Sequence, residues 1–269
     1  MRRLISLTLW GLAICSLILS FNIGRTGRRH IAGCVSRESD SDIFDNIDYG
    51  IPIECDQIID RKGYSVGYSR GWKLPVWVSY RLTSEEVTNR VCGRWDVFLR
   101  DPLVSDGAST PDDYYHSGYD RGHLAPAADM LWSTNAMVES FYMSNMAPQR
   151  PSFNRGIWCD LESWVRSVAV RETNIVIITG PIVVPDDLTN TIGRNRVVVP
   201  TAFYKVIYDE TPPEKMIGFI ISNEGSRLPI REYAVSVDAV EEITGMDFFG
   251  KLDDIKECEL EKKADFLEW

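Results

Sequence analysis

A domain built from both strands and helices is what this 269-residue chain predicts, and three stretches carry that prediction. Between Gly63 and Leu82 apolar and polar residues alternate with the period of two that a half-buried strand requires. From Asn154 to Val170 apolar residues recur instead at helical spacing. Ile175 to Thr179 is an unbroken apolar run rich in β-branched residues, suited to a strand covered on both faces.

Taken in chain order, Leu4 to Ile23 is almost wholly apolar and uncharged. At about 20 residues it is long enough to span a bilayer as a helix. A cleaved secretory signal is the alternative, but Phe21-Asn22-Ile23 is a poor cleavage site, so residues 1–30 read as an anchor or signal with the anchor preferred. Arginines flank both sides and give no orientation. A mitochondrial leader is less well matched, because such leaders are amphipathic and this one is uniformly apolar. The protein is therefore expected to be membrane-anchored or exported. Residues 31–50 are polar and read as a linker, followed by the main domain over 51–250.

Within that domain, Tyr64, Val66 and Tyr68 mark one strand and Val76, Val78 and Tyr80 a second, with a turn at Ser69-Arg70-Gly71. Residues 101–119, rich in Asp, Ser, Pro and Gly, read as loop. Ser133 caps a helix bearing Ala136, Met137 and Phe141. In the helix from Asn154, residues Ile157, Leu161, Trp164, Val165 and Val168 share one face. Asn154, Trp158 and Glu162 form a second stripe at its edge. The strand at 175–179 is expected to stop at Gly180-Pro181. Val197–Val199 and Phe203–Tyr208 read as strands around Pro200, and 236–250 as a short helix stopped by Gly245. Residues 251–269 form an acidic tail or peripheral helix.

Hydrophobic residues make up 44% of the chain, so core size is not limiting for one large or two small domains. The net charge is −10, and since residues 1–30 hold five arginines and no acid, the remainder stands at −15. That charge argues against broad adhesion to nucleic acid and is compatible with a site that takes a cation. The six cysteines match no zinc spacing. Cys34, Cys55, Cys92, Cys159 and Cys258 lie outside the apolar segment; they form up to two disulfides in an oxidising compartment or stay unpaired.

The chemistry concentrates at Asp120-Arg121-Gly122-His123. There are three histidines in the chain, His30, His116 and His123, and His30 lies in the leader. A histidine beside an arginine and a glycine puts a base, a cation and a tight backbone at one point, which is equipment for attacking a phosphodiester. The run continues through Leu124-Ala125-Pro126, then Phe141-Tyr142-Met143-Ser144-Asn145-Met146-Ala147-Pro148-Gln149. Phe153-Asn154-Arg155-Gly156, Trp158, Leu161-Glu162, Thr179-Gly180-Pro181, Gly193-Arg194-Asn195 and Pro200-Thr201-Ala202-Phe203 follow in order.

Over about residues 64–250 this series resembles the DNA/RNA non-specific endonuclease family, which includes endonuclease G. The fold the resemblance implies is α+β: a ββα-metal (His-Me finger) nuclease with a central antiparallel sheet flanked by helices. The implied reaction is Mg²⁺-dependent hydrolysis of DNA and RNA, with Mn²⁺ as a substitute ion and 5′-phosphate ends on the products. His123 would be the general base, since imidazole titrates near ~6.5 and accepts a proton at neutral pH. His116 is not expected to take part. Asn154 would be the direct Mg²⁺ ligand, although an Asn opening a helix is commonly just a cap. One carbonyl oxygen can suffice for an ion that keeps several of its waters. Glu162 would hold those waters. Arg121 would stabilise charge on the phosphate, and Asn145 would position the base or its loop. Asp120 would brace the turn. Arg155 and Arg100 would bind substrate, with Arg94 a rival to Arg100.

The other readings are a specialised metal-dependent phosphodiesterase, an exported nuclease toxin, and an inactive nucleic-acid-binding relative. Retention of His123, Asn154 and Glu162 together argues against the last. Beyond the nucleic acid, the expected partners are a membrane through the leader, a second copy of the chain and an inhibitor protein.

Overall fold

The structure is a computed structural model and describes residues 37–38 and 45–269. The apolar leader and most of the linker lie outside the described residues. Among the described residues, no helix is long and apolar enough to cross a membrane.

One eight-stranded sheet organises the chain. Its strands are β1 (Arg37–Glu38), β2 (Gln57–Asp60), β3 (Ser65–Ser69), β4 (Leu74–Thr83), β7 (Asn174–Ile182), β10 (Ala202–Asp209), β11 (Lys215–Ser222) and β12 (Ala234–Val235), in that spatial order. All neighbours are antiparallel except the β1–β2 pair at one edge. The hairpin expected between residues 63 and 82 is β3–β4. Strands β2 and β11 were not legible in advance.

Strand alternation divides the core into two faces. On one face Tyr64, Val66, Tyr80, Ile175, Ile177, Phe203, Ile207 and Phe219 pack beneath a long helix. On the other, Trp77, Val176, Ile178, Tyr204, Val206 and Tyr208 pack under the helix α4 (Val237–Thr244). Gly245 ends α4 with φ +70°, a left-handed cap that glycine adopts without penalty. The final helix, α5 (Asp254–Glu261), follows, and the tail folds back so that Phe266 stacks on Trp164 at 5.1 Å.

Two local expectations need correction. Strand β7 does not stop at Gly180-Pro181 but runs to Ile182, paired with β10 throughout. The β4–β7 ladder ends at Thr179, so Pro181 falls where one neighbour has already left, a position that tolerates a missing N–H. The long helix, α3, begins before Asn154. It comprises a first turn Pro151–Phe153, a π-type stretch Asn154–Trp158 with a kink at Gly156, and a regular segment Cys159–Glu172. Pro at its first position suits a helix start, where no N–H is needed.

On the sheet face under α3 sits a small hairpin: β5 (Asp120–His123) pairs antiparallel with β6 (Met146–Gln149), which leads directly into α3. This is a ββα finger. Helices α1 (Ser84–Thr88) and α2 (Thr134–Ser140) lie in the connections, and the two-stranded pair β8 (Thr191–Ile192) and β9 (Val197–Val198) lies beyond. Ser133 caps α2 as expected, accepting from the Ala136 N–H. Among the described residues Cys55, Cys92, Cys159 and Cys258 are unpaired.

The finger is tightly built at Gly122. A Cβ there would overlap the side chain of Gln149 from Cγ to Oε1, and Gln149 is fully buried, so the side chain must shift within the core. Gly122→Ala is expected to destabilise the protein by about 1–3 kcal/mol, the usual cost of overpacking. Urea unfolding compared with Gly93→Ala, whose Cβ meets open space and whose φ is not positive, separates the steric effect from loss of glycine in general.

Candidate active site

His123 ends β5 with its ring against two aromatics. Phe141 lies edge-on at 4.8 Å and Phe98 at 5.7 Å. The imidazole Nε2 is buried and has no hydrogen-bond partner among the described residues. Burial holds the imidazole well below its usual value, at about 3; the positive charge of Arg94 pushes the same way and Asp96 opposes it. His123 is therefore neutral at physiological pH, a proton acceptor rather than a donor cation.

Asn145 holds the chain just after His123. It is fully buried. Its Oδ1 accepts from the Ala125 N–H at 2.9 Å, and its Nδ2 donates to the carbonyls of Ala125 and Ser140, each at 2.9 Å. The Leu124 N–H also donates to the Asn145 carbonyl. Every polar atom of the side chain is committed to backbone. Asn145→Ala would leave three buried groups unpaired at about 1–3 kcal/mol each. A loss of roughly 3 kcal/mol or more is expected in denaturant titrations, with a fall in kcat from the displaced His123.

Asn154 is not a helix cap. Its φ/ψ are helical and its N–H already donates to the Arg150 carbonyl. Its side chain is free of capping duty, and Nδ2 donates to Asp120 Oδ2 at 2.9 Å. That bond fixes the amide and leaves Oδ1 as the side available to a cation. Asp120 also accepts from Arg155 Nε at 2.8 Å and Nη2 at 2.6 Å. Asp120 thus braces β5 against the start of α3, and Arg155, expected on substrate, spends two of its donors on this brace.

Glu162 lies two turns farther along α3, in a cluster of buried charge. Burial raises its carboxyl to about 7; Lys205 opposes this, Asp129 adds to it, and Arg166 and Arg94 oppose it. Asp129 is itself buried, accepting from Arg166 Nη1 at 2.9 Å and from the Tyr80 hydroxyl at 3.0 Å. Lys205 of β10 is completely buried, with Nζ 4.9 Å from the Trp158 ring centre and 6.0 Å from that of Tyr80. Its Nζ makes no hydrogen bond among the described residues, and burial pulls it down to about 8. Sequence reading did not single out Lys205, Asp129 or Arg166. A signal existed for Lys205: alternation along β10 puts it on the same face as Phe203 and Ile207, where an apolar residue belongs.

The arginines divide. Arg121 donates from Nη2 to the Pro111 carbonyl at 2.8 Å and lies 5.1 Å over Phe98, the ring that also borders His123. Arg94 is exposed, lies 5.2 Å over Phe141, the other ring against His123, and donates from Nε to Asp96 Oδ1 at 2.6 Å. Arg100 reaches instead toward the carbonyls of Val104 and Ser105, at 3.5 and 3.4 Å. His116 is exposed in a loop, against Tyr115.

A hard cation fits this donor set. Asn154 offers an oriented amide oxygen, and Glu162 a carboxylate that a nearby positive charge would favour in its ionised form. A neutral imidazole, an oriented amide oxygen and a half-buried carboxylate on one ββα finger, with arginines beside them, define a phosphodiester hydrolase.

Comparison with known proteins agrees. The DNA/RNA non-specific endonuclease family profile matches residues 44–255. Nuclease C1 of Cunninghamella echinulata var. echinulata is 33% identical over 222 residues, covering 77% of this chain and 88% of that protein. Human mitochondrial endonuclease G is 32% identical, covering 74% and 71%. A crystal structure of EndoG bound to its inhibitor EndoGI superposes with a TM-score of 0.72 at 33% identity, covering 78% of this chain and 91% of that one. The chain belongs to the DNA/RNA non-specific endonuclease family and is a hydrolytic endonuclease.

Proposed function

We propose that the protein is a Mg²⁺-dependent endonuclease that cuts DNA and RNA with His123 as general base. The observation that carries this reading is the neutral, desolvated imidazole of His123 on the same finger whose helix bears Asn154 and Glu162. Asn154 Oδ1 would hold the ion directly and Glu162 would hold its waters. When bound, Mg²⁺ polarises the phosphate and stabilises the departing 3′-oxygen.

His123 takes a proton from the attacking water. Arg121 and Arg94 draw the phosphate in and stabilise its growing charge. The geometry favours Arg94 over Arg100 for that part, since Arg94 shares Phe141 with His123. Cleavage leaving a 5′-phosphate follows from departure of the 3′-oxygen. Low sequence preference follows if contacts fall on phosphate and sugar. The inhibited EndoG complex makes a protein inhibitor a reasonable partner. Relatives named as mitochondrial nucleases add mitochondria to the compartments to be tested beside the anchored or exported state.

The test is cleavage of supercoiled plasmid and of RNA with Mg²⁺ and with EDTA. Nicking that requires the ion, with 5′-phosphate ends, is the expected result. Hydrolysis of small diesters without cleavage of either polymer would replace this reading with a specialised phosphodiesterase, in keeping with the −15 charge outside the leader.

A further inference from the structure

Beyond the finger, helices α4 and α5 converge on a group of carboxylates. Asp238 and Glu241 lie three residues apart on α4, and Glu261 ends α5. One carboxylate oxygen from each lies within 4.8 Å of the other two. Glu261 is only 5% exposed, and its Oε1 is buried without a hydrogen-bond partner among the described residues. Glu257, one turn earlier on α5, likewise buries an unpartnered Oε1.

Such a group is expensive. Desolvation drives the Glu261 carboxyl up to about 9, and the neighbours that add to it are Glu241, Glu257, Asp238 and Asp247. Glu241 is pushed to about 7 by burial and the same kind of neighbours, against one opposing bond from the Phe248 N–H at 2.7 Å. Glu261 also sits at the negative end of the α5 dipole. Lys256, the cation on α5, is turned to Glu214 at 2.5 Å. Buried carboxylates in such a place are paired, protonated or bound to a metal.

We propose that Asp238, Glu241 and Glu261, with Glu257 at the margin, form a second cation site, for Ca²⁺, that ties α5 to α4. The donors are all carboxylate oxygens, with no histidine or thiol, which selects a hard ion. Ca²⁺ accepts six to eight oxygens in irregular geometry and takes carboxylates two oxygens at a time. Mg²⁺ demands an octahedron and gives up water reluctantly. Nothing in the site depends on the catalytic ion.

Calorimetric titration of metal-stripped full-length protein with CaCl₂ tests this, together with thermal unfolding. The Asn154→Ala protein is included so that binding at the finger does not contribute. One equivalent of Ca²⁺ is expected to remain in Asn154→Ala and to raise its Tm. Glu241→Gln with Glu261→Gln should abolish both effects and raise the metal-free Tm, because buried repulsion is relieved. Asp238→Asn, at an exposed position, should weaken binding about tenfold without threatening the fold. No Ca²⁺ equivalent in Asn154→Ala, or one that survives the Glu241/Glu261 change, would overturn the site. Tighter binding of MgCl₂ than CaCl₂ there would overturn the choice of ion. Failure of the catalytic reading would show differently, as identical Mg²⁺-dependent nicking by wild type and Asn154→Ala.

Discussion

Replacing His123 with alanine is expected to lower kcat for plasmid cleavage by about 10²–10⁴-fold, the usual contribution of a positioned general base. His123 is suited to the part because the Phe98 and Phe141 rings remove water from its faces. Arg94 adds electrostatic pressure against protonation. The acid limb of kcat/KM should therefore fall well below the ~6.5 of a free imidazole. A pH–rate profile on supercoiled DNA measures both quantities, and full activity in His123→Ala would remove the base from the mechanism.

The same displacement has a stability signature of opposite origin. The folded imidazole stands at about 3, against ~6.5 in an unfolded chain. Between those values the unfolded chain binds the extra proton, so stability rises with pH. The contribution of neutral His123 is complete above about pH 6.5 and is lost as pH falls toward 3. At pH 5 the loss amounts to up to about 2 kcal/mol. Urea midpoints at pH 7 and pH 5 should differ less in His123→Ala than in the wild type.

Asn154→Ala is expected to reduce cleavage by about 10²–10⁴-fold at fixed Mg²⁺, because on the proposed reading several kcal/mol of charge stabilisation would depend on one amide oxygen. A cap mutation would act differently, lowering stability by about 1 kcal/mol and sparing chemistry. The backbone of Asn154 is already helical, so the cap component should be absent; the stability cost that remains, about 1–2 kcal/mol, is that of the lost bond from Nδ2 to Asp120 Oδ2, and Asp120 keeps its bonds from Arg155. Asn154→Asp is no gentle control. It loses the bond from Nδ2 to Asp120 Oδ2 and sets two carboxylates against each other. Activity titrated against Mg²⁺ separates the cases: a ligand variant needs more ion, and a structural variant does not.

Much of this was legible in the chain. The face Ile157, Leu161, Trp164, Val165 and Val168 was set by spacing; four of these are buried on α3, and Trp164 is half-buried at the edge of the core. The Gly245 stop of α4 and the β3–β4 hairpin were legible for the same reason, since each is a local consequence of residue type and period. The motif residues 120–123 and 146–149 were visible, but their pairing as one hairpin joins segments far apart in sequence. No local pattern encodes that register.

The amino-acid sequence by itself determined which residues could do the chemistry: one imidazole in the right company, an amide and a carboxylate on one helix, and arginines nearby. The tertiary structure decided what each was free to do. It committed Asn145 wholly to backbone, turned Arg100 toward its own loop, released Asn154 from capping, and drove Lys205 of β10 beneath α3 into the field of Glu162. Period and propensity report the burial of one element at a time. Which charges share a desolvated volume depends on how a strand and a helix pack together, and that is fixed only when the whole core closes.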